Sequence, residues 1–153
     1  MKSGEKTMQG LARYLNCFDG AAESMRDVLL LVGRIFIATV FLMTVSGGGP
    51  ADFYLKSLNY PAPAVMATLA HLAEWIIVVT LILGLATRPG ALLALAFLVI
   101  AVLTAHLYWQ YPAAQQQLQW VFLSKDIAIT GGVLILFVTG AGRYSLDAKM
   151  MGK

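Results

Sequence analysis

The chain has 153 residues, of which 59% are hydrophobic and only 12% are charged, and its mean hydropathy is +0.73. Soluble domains carry about 25% charged residues, so this composition predicts an integral membrane protein that forms one small domain. The net charge of +3 is small, and basic residues are not interleaved with aromatic ones, which excludes nucleic acid as an expected partner.

The first 26 residues are predicted to form a cytoplasmic segment with a short amphipathic helix. Met8, Leu11, Leu15 and Phe18 recur at helical spacing, which favours a helix lying on the membrane surface over the alternative of a frayed tail. These residues lack the apolar core of a cleavable signal peptide, so the first hydrophobic block is expected to act as an uncleaved anchor. Cys17 is the only cysteine, which rules out an intrachain disulfide. We interpret it as an inert thiol rather than a lipidated or redox-active one.

Four apolar blocks follow, each near the roughly 20 residues that a membrane-spanning helix needs. Glycine and proline residues separate them at residues 47–50, 88–90 and 111–112. The pattern predicts an all-α integral membrane four-helix bundle over residues 27–140 and a cytoplasmic tail at residues 141–153. The predicted spans cover residues 27–46, 62–86, 89–109 and 121–139.

The distribution of basic residues predicts the orientation in the membrane, because cytoplasmic segments carry an excess of Lys and Arg. Eight of the eleven basic residues fall on one side of a four-span protein, and both termini are therefore predicted to face the cytoplasm. Those eight are Lys2, Lys6, Arg13, Arg26, Arg88, Arg143, Lys149 and Lys153.

Every predicted span contains at least one ionisable residue. Such residues cost about 2.5–3.5 kcal/mol each to insert, so they usually face the bundle interior and have partners. Depth estimates at about 1.5 Å per residue favour a buried Arg34–Glu74 pair, and they place His106 nearest to the charges of span four. The alternative is that these groups only join helices through hydrogen bonds. The proposed buried charge network comprises Arg34, Glu74, Lys125 and Asp126.

A small-ligand pocket is the second interpretation of these polar residues. A quinone needs an apolar slot, an aromatic wall and one or two hydrogen-bonding groups. The candidate residues are His71, Glu74, Trp75 and His106. Haem is disfavoured because the two histidines differ in estimated depth by about 6 Å, and the lone cysteine excludes thiol–disulfide chemistry. No metal site is predicted, because two histidines and a carboxylate do not provide a secure zinc ligand set.

Five segments of the sequence form a recognisable series. They are "GRIFIATVFLM" (33–43), Glu74 followed by "LILGLATRPGALLAL" (81–95), "HLYW" (106–109), "LSKDIAITGGVLIL" (123–136) and "GAGRYSLDA" (140–148). Together they resemble the DoxX family of bacterial four-helix membrane proteins. The resemblance covers residues 28–148 and implies a four-helix bundle in the bacterial cytoplasmic (inner) membrane. The residues that match recurring positions of the family are Arg34, Glu74, Arg88, His106, Lys125, Gly131, Gly132 and Arg143.

The resemblance also implies a link to membrane redox complexes. One branch of the family supplies a subunit of a thiosulfate:quinone oxidoreductase, and another is described beside superoxide-detoxifying and thiol-handling proteins. Two departures bear on any shared function. The segment at residues 47–50 lacks the lysine that members usually carry there, and Asp126 stands where members usually have asparagine.

The leading functional hypothesis is an accessory or quinone-side subunit of a membrane redox assembly, without a redox centre of its own and without independent enzymatic activity. The expected partners are membrane lipids and other membrane protein subunits. One alternative is a purely structural or assembly subunit packed against a larger membrane complex. The other is a small proton-coupled transporter that uses Glu74 as its proton site.

Overall fold

The computed structural model of the protein describes residues 2–47, 55–56, 59 and 61–152. Within these residues the chain is helical and contains no strand. The helices are α1 (Lys2–Gly47), α2 (Pro63–Leu83), α3 (Thr87–Ala105), a 3-10 turn (Tyr108–Gln110), α4 (Ala113–Thr139) and α5 (Leu146–Met150). Four helices are long and apolar enough to cross a membrane, namely Phe18–Gly47, Pro63–Leu83, Thr87–Gln110 and Ala113–Thr139. The predicted all-α architecture is therefore confirmed.

The amino-terminal segment is helical, as predicted, but no break separates it from the first span. A single helix, α1, runs from Lys2 to Gly47. Gly20 does not end it, since one glycine inside a helix costs only about 1 kcal/mol relative to alanine. Met8 and Phe18 are exposed. The side chains of Leu11, Leu15 and Cys17 lie outside the described residues, so the amphipathic face stays a prediction.

Local sequence signals determine where the spans begin and end. Pro63 opens α2, where a missing N–H costs nothing. Gly84 ends α2 in the left-handed conformation, with φ 63°. Pro112 precedes α4, so this helix begins at Ala113, two turns before the predicted start of span four. In span three the α-helix α3 ends at Ala105, and the 3-10 turn extends the apolar stretch to Gln110.

The four long helices form a closed ring in which each packs against the next along the chain and α1 also packs against α4. Small residues let the helices approach closely, and Ala38, Ala91 and Ala94 are fully buried. Phe41 of α1 and Phe97 of α3 meet edge to face at 5.8 Å between ring centroids. We call the end of the bundle where α2 ends and α3 begins the base, and the opposite end the top.

Candidate functional site

Glu74 of α2 is buried inside the bundle with 6% of its surface exposed. The Thr44 hydroxyl of α1 and the imidazole of His71 lie beside its carboxyl group. His71 precedes Glu74 by one helical turn, so both side chains occupy the same face of α2. Trp75 is the next residue along the helix, and it lies on the outer surface with 48% exposure. The structure thus brings His71 and Glu74 together and leaves Trp75 facing outward.

His106 belongs to a second polar cluster at the top, where α3 ends and α4 begins. Its Nδ1 lies 2.9 Å from Oε1 of Gln119, a buried residue of α4. Its Nε2 lies 3.8 Å from Oδ2 of Asp126, which is also buried. The ring of Phe122 is 5.4 Å from the imidazole, measured between centroids. Asp126 of α4 therefore pairs with His106, which directly follows α3. This is the partner that the depth estimate favours.

Lys125 joins this second cluster in a way that the spacing rule did not predict. Residues adjacent on a helix do not face one another, yet Lys125 Nζ lies 3.6 Å from Asp126 Oδ1. The long, half-exposed lysine side chain reaches around the helix, and its amino group also lies 5.3 Å from the ring centroid of Phe122. In the described part of the chain, no hydrogen bond or ion pair connects this cluster with Glu74.

Arg34 is not the partner of Glu74, and the predicted pair is wrong. Arg34 is 1% exposed, and its Nη2 donates a hydrogen bond to the carbonyl oxygen of Tyr144 at 2.5 Å. Its guanidinium packs on the backbone of Gly84, where a Cβ would overlap Nη1. Ten residues separate Gly84 from Glu74, which amounts to about 15 Å along the helix. Asp147 provides the nearby negative charge instead.

Asp147 of α5 caps the amino-terminal end of α3. Its two carboxylate oxygens accept hydrogen bonds from the backbone N–H groups of Ala86 at 2.7 Å and Thr87 at 2.8 Å. Its own N–H donates to the carbonyl oxygen of Gly84 at 2.9 Å. Partial burial acts to raise the pKa of Asp147, but the hydrogen bonds from Thr87 and Ala86 and the charge of Arg34 outweigh it. The pKa therefore lies below its usual value.

A cavity of about 590 Å³ opens at the base, outside both interior clusters. None of the four residues proposed for the quinone pocket lines it. The cavity lies between α1, the turn from α2 to α3, and the segment that follows α4. Its lining consists of Arg26, Asp27, Ala86, Thr87, Arg88, Pro89, Thr139, Gly140, Ala141, Gly142, Arg143, Ser145, Asp147, Ala148 and Met151.

Gln119 in the second cluster and Asp147 at the base are functional candidates that were not among the predicted site residues. Gln119 comes before the apolar run that begins at residue 121, and its burial follows only from the early start of α4 at Ala113. Asp147 lies in a segment that reads as a simple tail. The available signal was Ser145, a residue type that favours helix N-caps, and its side chain does accept a hydrogen bond from the Ala148 N–H.

A closed ring of four apolar helices with polar clusters inside defines a multi-pass α-helical membrane protein. The DoxX family model matches residues 29–107. The chain is 31% identical over 140 residues to the inner membrane protein YphA of Escherichia coli (strain K12), covering 88% of this chain and 98% of that protein. It is 29% identical over 129 residues to the inner membrane protein YqjF of the same organism, covering 82% and 94%. No solved structure gives a significant match.

The chain therefore belongs to the DoxX family and is a multi-pass inner-membrane protein. The family model matches the first three spans of this chain. The similarity to YphA extends over most of this chain and nearly all of YphA.

Proposed function

We propose that this protein is an accessory, quinone-side subunit of a membrane redox assembly, without a redox centre of its own. The DoxX family's link to membrane redox complexes supports the assembly role. The observation that carries the quinone-side role is the burial of Glu74 next to His71 in the middle of a membrane span.

Burying the carboxyl group of Glu74 in the membrane costs free energy that a residue needed only for helix packing would not require. Among the described residues, no Lys or Arg nitrogen forms a salt bridge with its carboxyl group. A carboxyl group at this depth is expensive to charge, and ionisable residues within membrane spans are functional candidates for that reason. Of the neighbouring groups, the threonine hydroxyl forms a hydrogen bond with the carboxyl group and the imidazole lies nearby, and neither carries a permanent positive charge.

This arrangement suits a quinone head group better than an ion. The carbonyl oxygens of a quinone accept hydrogen bonds from an imidazole N–H or a protonated carboxyl group, and its ring needs apolar surroundings. His71 and Glu74 lie one turn apart on one helix face, and the adjoining interior is lined by Ile77 and Phe41. These residues bind and orient the head group in the proposal, while electron transfer belongs to the partner subunits.

The test measures quinone bound to the native complex after mild detergent extraction, as moles of quinone per mole of protein. Glu74→Gln and His71→Leu are each expected to lower the occupancy by up to about tenfold, since a hydrogen bond between neutral groups contributes about 0.5–1.5 kcal/mol. Asp126→Asn is the matched control, because it changes a second buried span carboxylate in the cluster at the top. It is expected to leave the occupancy unchanged.

Quinone occupancy that both variants leave unchanged would contradict the proposal, as would a native complex that holds no quinone. The structural-subunit hypothesis would then be the better account of the protein. That hypothesis predicts that substitutions of outward-facing residues such as Phe36 and Val138, which are 70% and 73% exposed, release the protein from its larger partner.

A further inference from the structure

The cavity at the base has the size and the charge of a binding site for an anion. Its volume of about 590 Å³ falls within the range of about 300–1,000 Å³ that is common for small-molecule sites. Three arginines line it, and each comes from a different segment: Arg26 from α1, Arg88 from the start of α3, and Arg143 from the loop between α4 and α5.

The fold holds the side chain of Arg88 and the backbone of Arg143. Arg88 Nη2 donates a hydrogen bond to the carbonyl oxygen of Val138 at 3.4 Å, at the end of α4. The backbone N–H of Arg143 donates to Asp27 Oδ1 at 2.9 Å, which fixes the loop against α1. Gly142 has φ 73° and lies so close to α1 that a Cβ would come within 3.2 Å of Asp27 Oδ1. The backbone at Arg143 is therefore held against α1 at the edge of the cavity.

The two acidic residues of the cavity are hydrogen-bonded to backbone N–H groups. Asp27 accepts the backbone N–H of Arg143, and Asp147 accepts the backbone N–H groups of Ala86 and Thr87. Arg34 also lies close enough to Asp147 to offset its charge. In the described part of the chain, no salt bridge joins a carboxylate to any of the three cavity arginines. The lining therefore contains three arginines and two carboxylates, and it carries a net positive charge.

We infer that the base cavity binds a phosphate group, which either an anionic phospholipid head group or a small free phosphate provides. The planar fork of arginine matches the oxygens of phosphate and forms two parallel, charge-assisted hydrogen bonds. The cavity opens at the level where the membrane-spanning helices end, which is the depth of the lipid head groups. This inference is independent of the proposed quinone site.

The experiment uses the full-length protein purified in a neutral detergent and compares two matched pairs of probes. Native mass spectrometry measures the affinity for phosphatidylglycerol against diacylglycerol, which has the same tails and no phosphate. Thermal unfolding measures protection by inorganic phosphate against chloride at equal ionic strength. We expect a positive result with at least one pair. Either phosphatidylglycerol binds at least tenfold more tightly than diacylglycerol, or inorganic phosphate raises the unfolding temperature relative to chloride.

Arg143→Gln is the diagnostic variant and Lys149→Gln is its matched control. Both remove one positive charge from exposed side chains of the same short segment, but Lys149 does not line the cavity. Arg143→Gln is expected to weaken binding of the preferred phosphate probe about tenfold, and Lys149→Gln to leave it unchanged. Arg26→Gln provides a second cavity variant, with the same expected loss, in case the first affects folding.

The probes also distinguish the source of the phosphate. The site is assigned to a lipid head group if phosphatidylglycerol is preferred and inorganic phosphate displaces it. Protection by inorganic phosphate without lipid preference assigns it to a free phosphate. The inference fails if neither phosphate-bearing probe is preferred. It also fails if Lys149→Gln weakens binding as much as the cavity variants do, since general surface charge would then account for it.

Discussion

The contact between Gly84 and Arg34 predicts that Gly84→Ala will destabilise the fold more than its small size suggests. Gly84 has φ 63°, and an alanine in this left-handed region costs about 1–2 kcal/mol. The new Cβ would also overlap Nη1 of Arg34 and lie 2.5 Å from the Cβ of Ser145. Overpacking of this kind typically adds about 1–3 kcal/mol. The expected loss in unfolding free energy is therefore about 2–5 kcal/mol.

Gly152→Ala is a matched control for the backbone part of this cost. Gly152 has φ 66°, almost the same as Gly84, but a Cβ there would meet nothing within 4 Å. The assay is equilibrium unfolding of both variants and the wild type in the same detergent. Gly152→Ala should lose at most about 1–2 kcal/mol. If the two variants lose the same free energy within about 0.5 kcal/mol, the packing of Arg34 on Gly84 does not stabilise the base.

Two further predictions concern the base and its orientation. The pKa of Asp147 is lower in the folded protein than in the unfolded chain, where it is about 3.9. The ionised carboxylate therefore stabilises the fold at pH values above the unfolded-state pKa. This contribution is lost as the pH falls through the folded-state pKa. Between about pH 5 and pH 3, the range around that reference value, Asp147→Asn should therefore lose less unfolding free energy than the wild type. Exposed Asp19→Asn is the control. If the unfolding free energy of Asp147→Asn falls with pH as steeply as that of the wild type, the prediction is wrong. The orientation is tested by cysteine labelling in a Cys17→Ser background. Met150→Cys should be labelled only after the membrane is permeabilised, whereas Gln117→Cys should be labelled from outside. The reverse pattern would overturn the predicted cytoplasmic termini.

The four spans could be predicted from the sequence because burial in lipid imposes length and apolarity on each helix separately. A run of about 20 apolar residues is visible without knowledge of any contact. The helix ends are harder to predict than the spans, because they depend on capping. Pro112 marks the start of α4, yet the polar residues Gln115 and Gln116 interrupt the apolar run, and the predicted span begins only at residue 121.

The partner of Arg34 could not be predicted from depth alone, because depth ignores the direction of the side chain. Side chains on a helix lean toward its amino-terminal end. The base lies on the amino-terminal side of Arg34, so the guanidinium extends toward Gly84 and away from Glu74. Its hydrogen-bond acceptor is the carbonyl of Tyr144, 110 residues later in the chain. No residue type or spacing signals a backbone acceptor in a segment that resembles a tail.

The base and the Glu74 site are separate units of the same bundle. Arg34 and Asp147 tie together the end of α2, the start of α3 and the segment after α4 through hydrogen bonds that none of the groups beside Glu74 shares. About 15 Å of helix separates Gly84 from Glu74, beyond the distance of roughly 7–10 Å within which substitutions usually couple. A change at Glu74 should therefore leave the base intact. This separation allows loss of a ligand in the interior to be distinguished from loss of the fold.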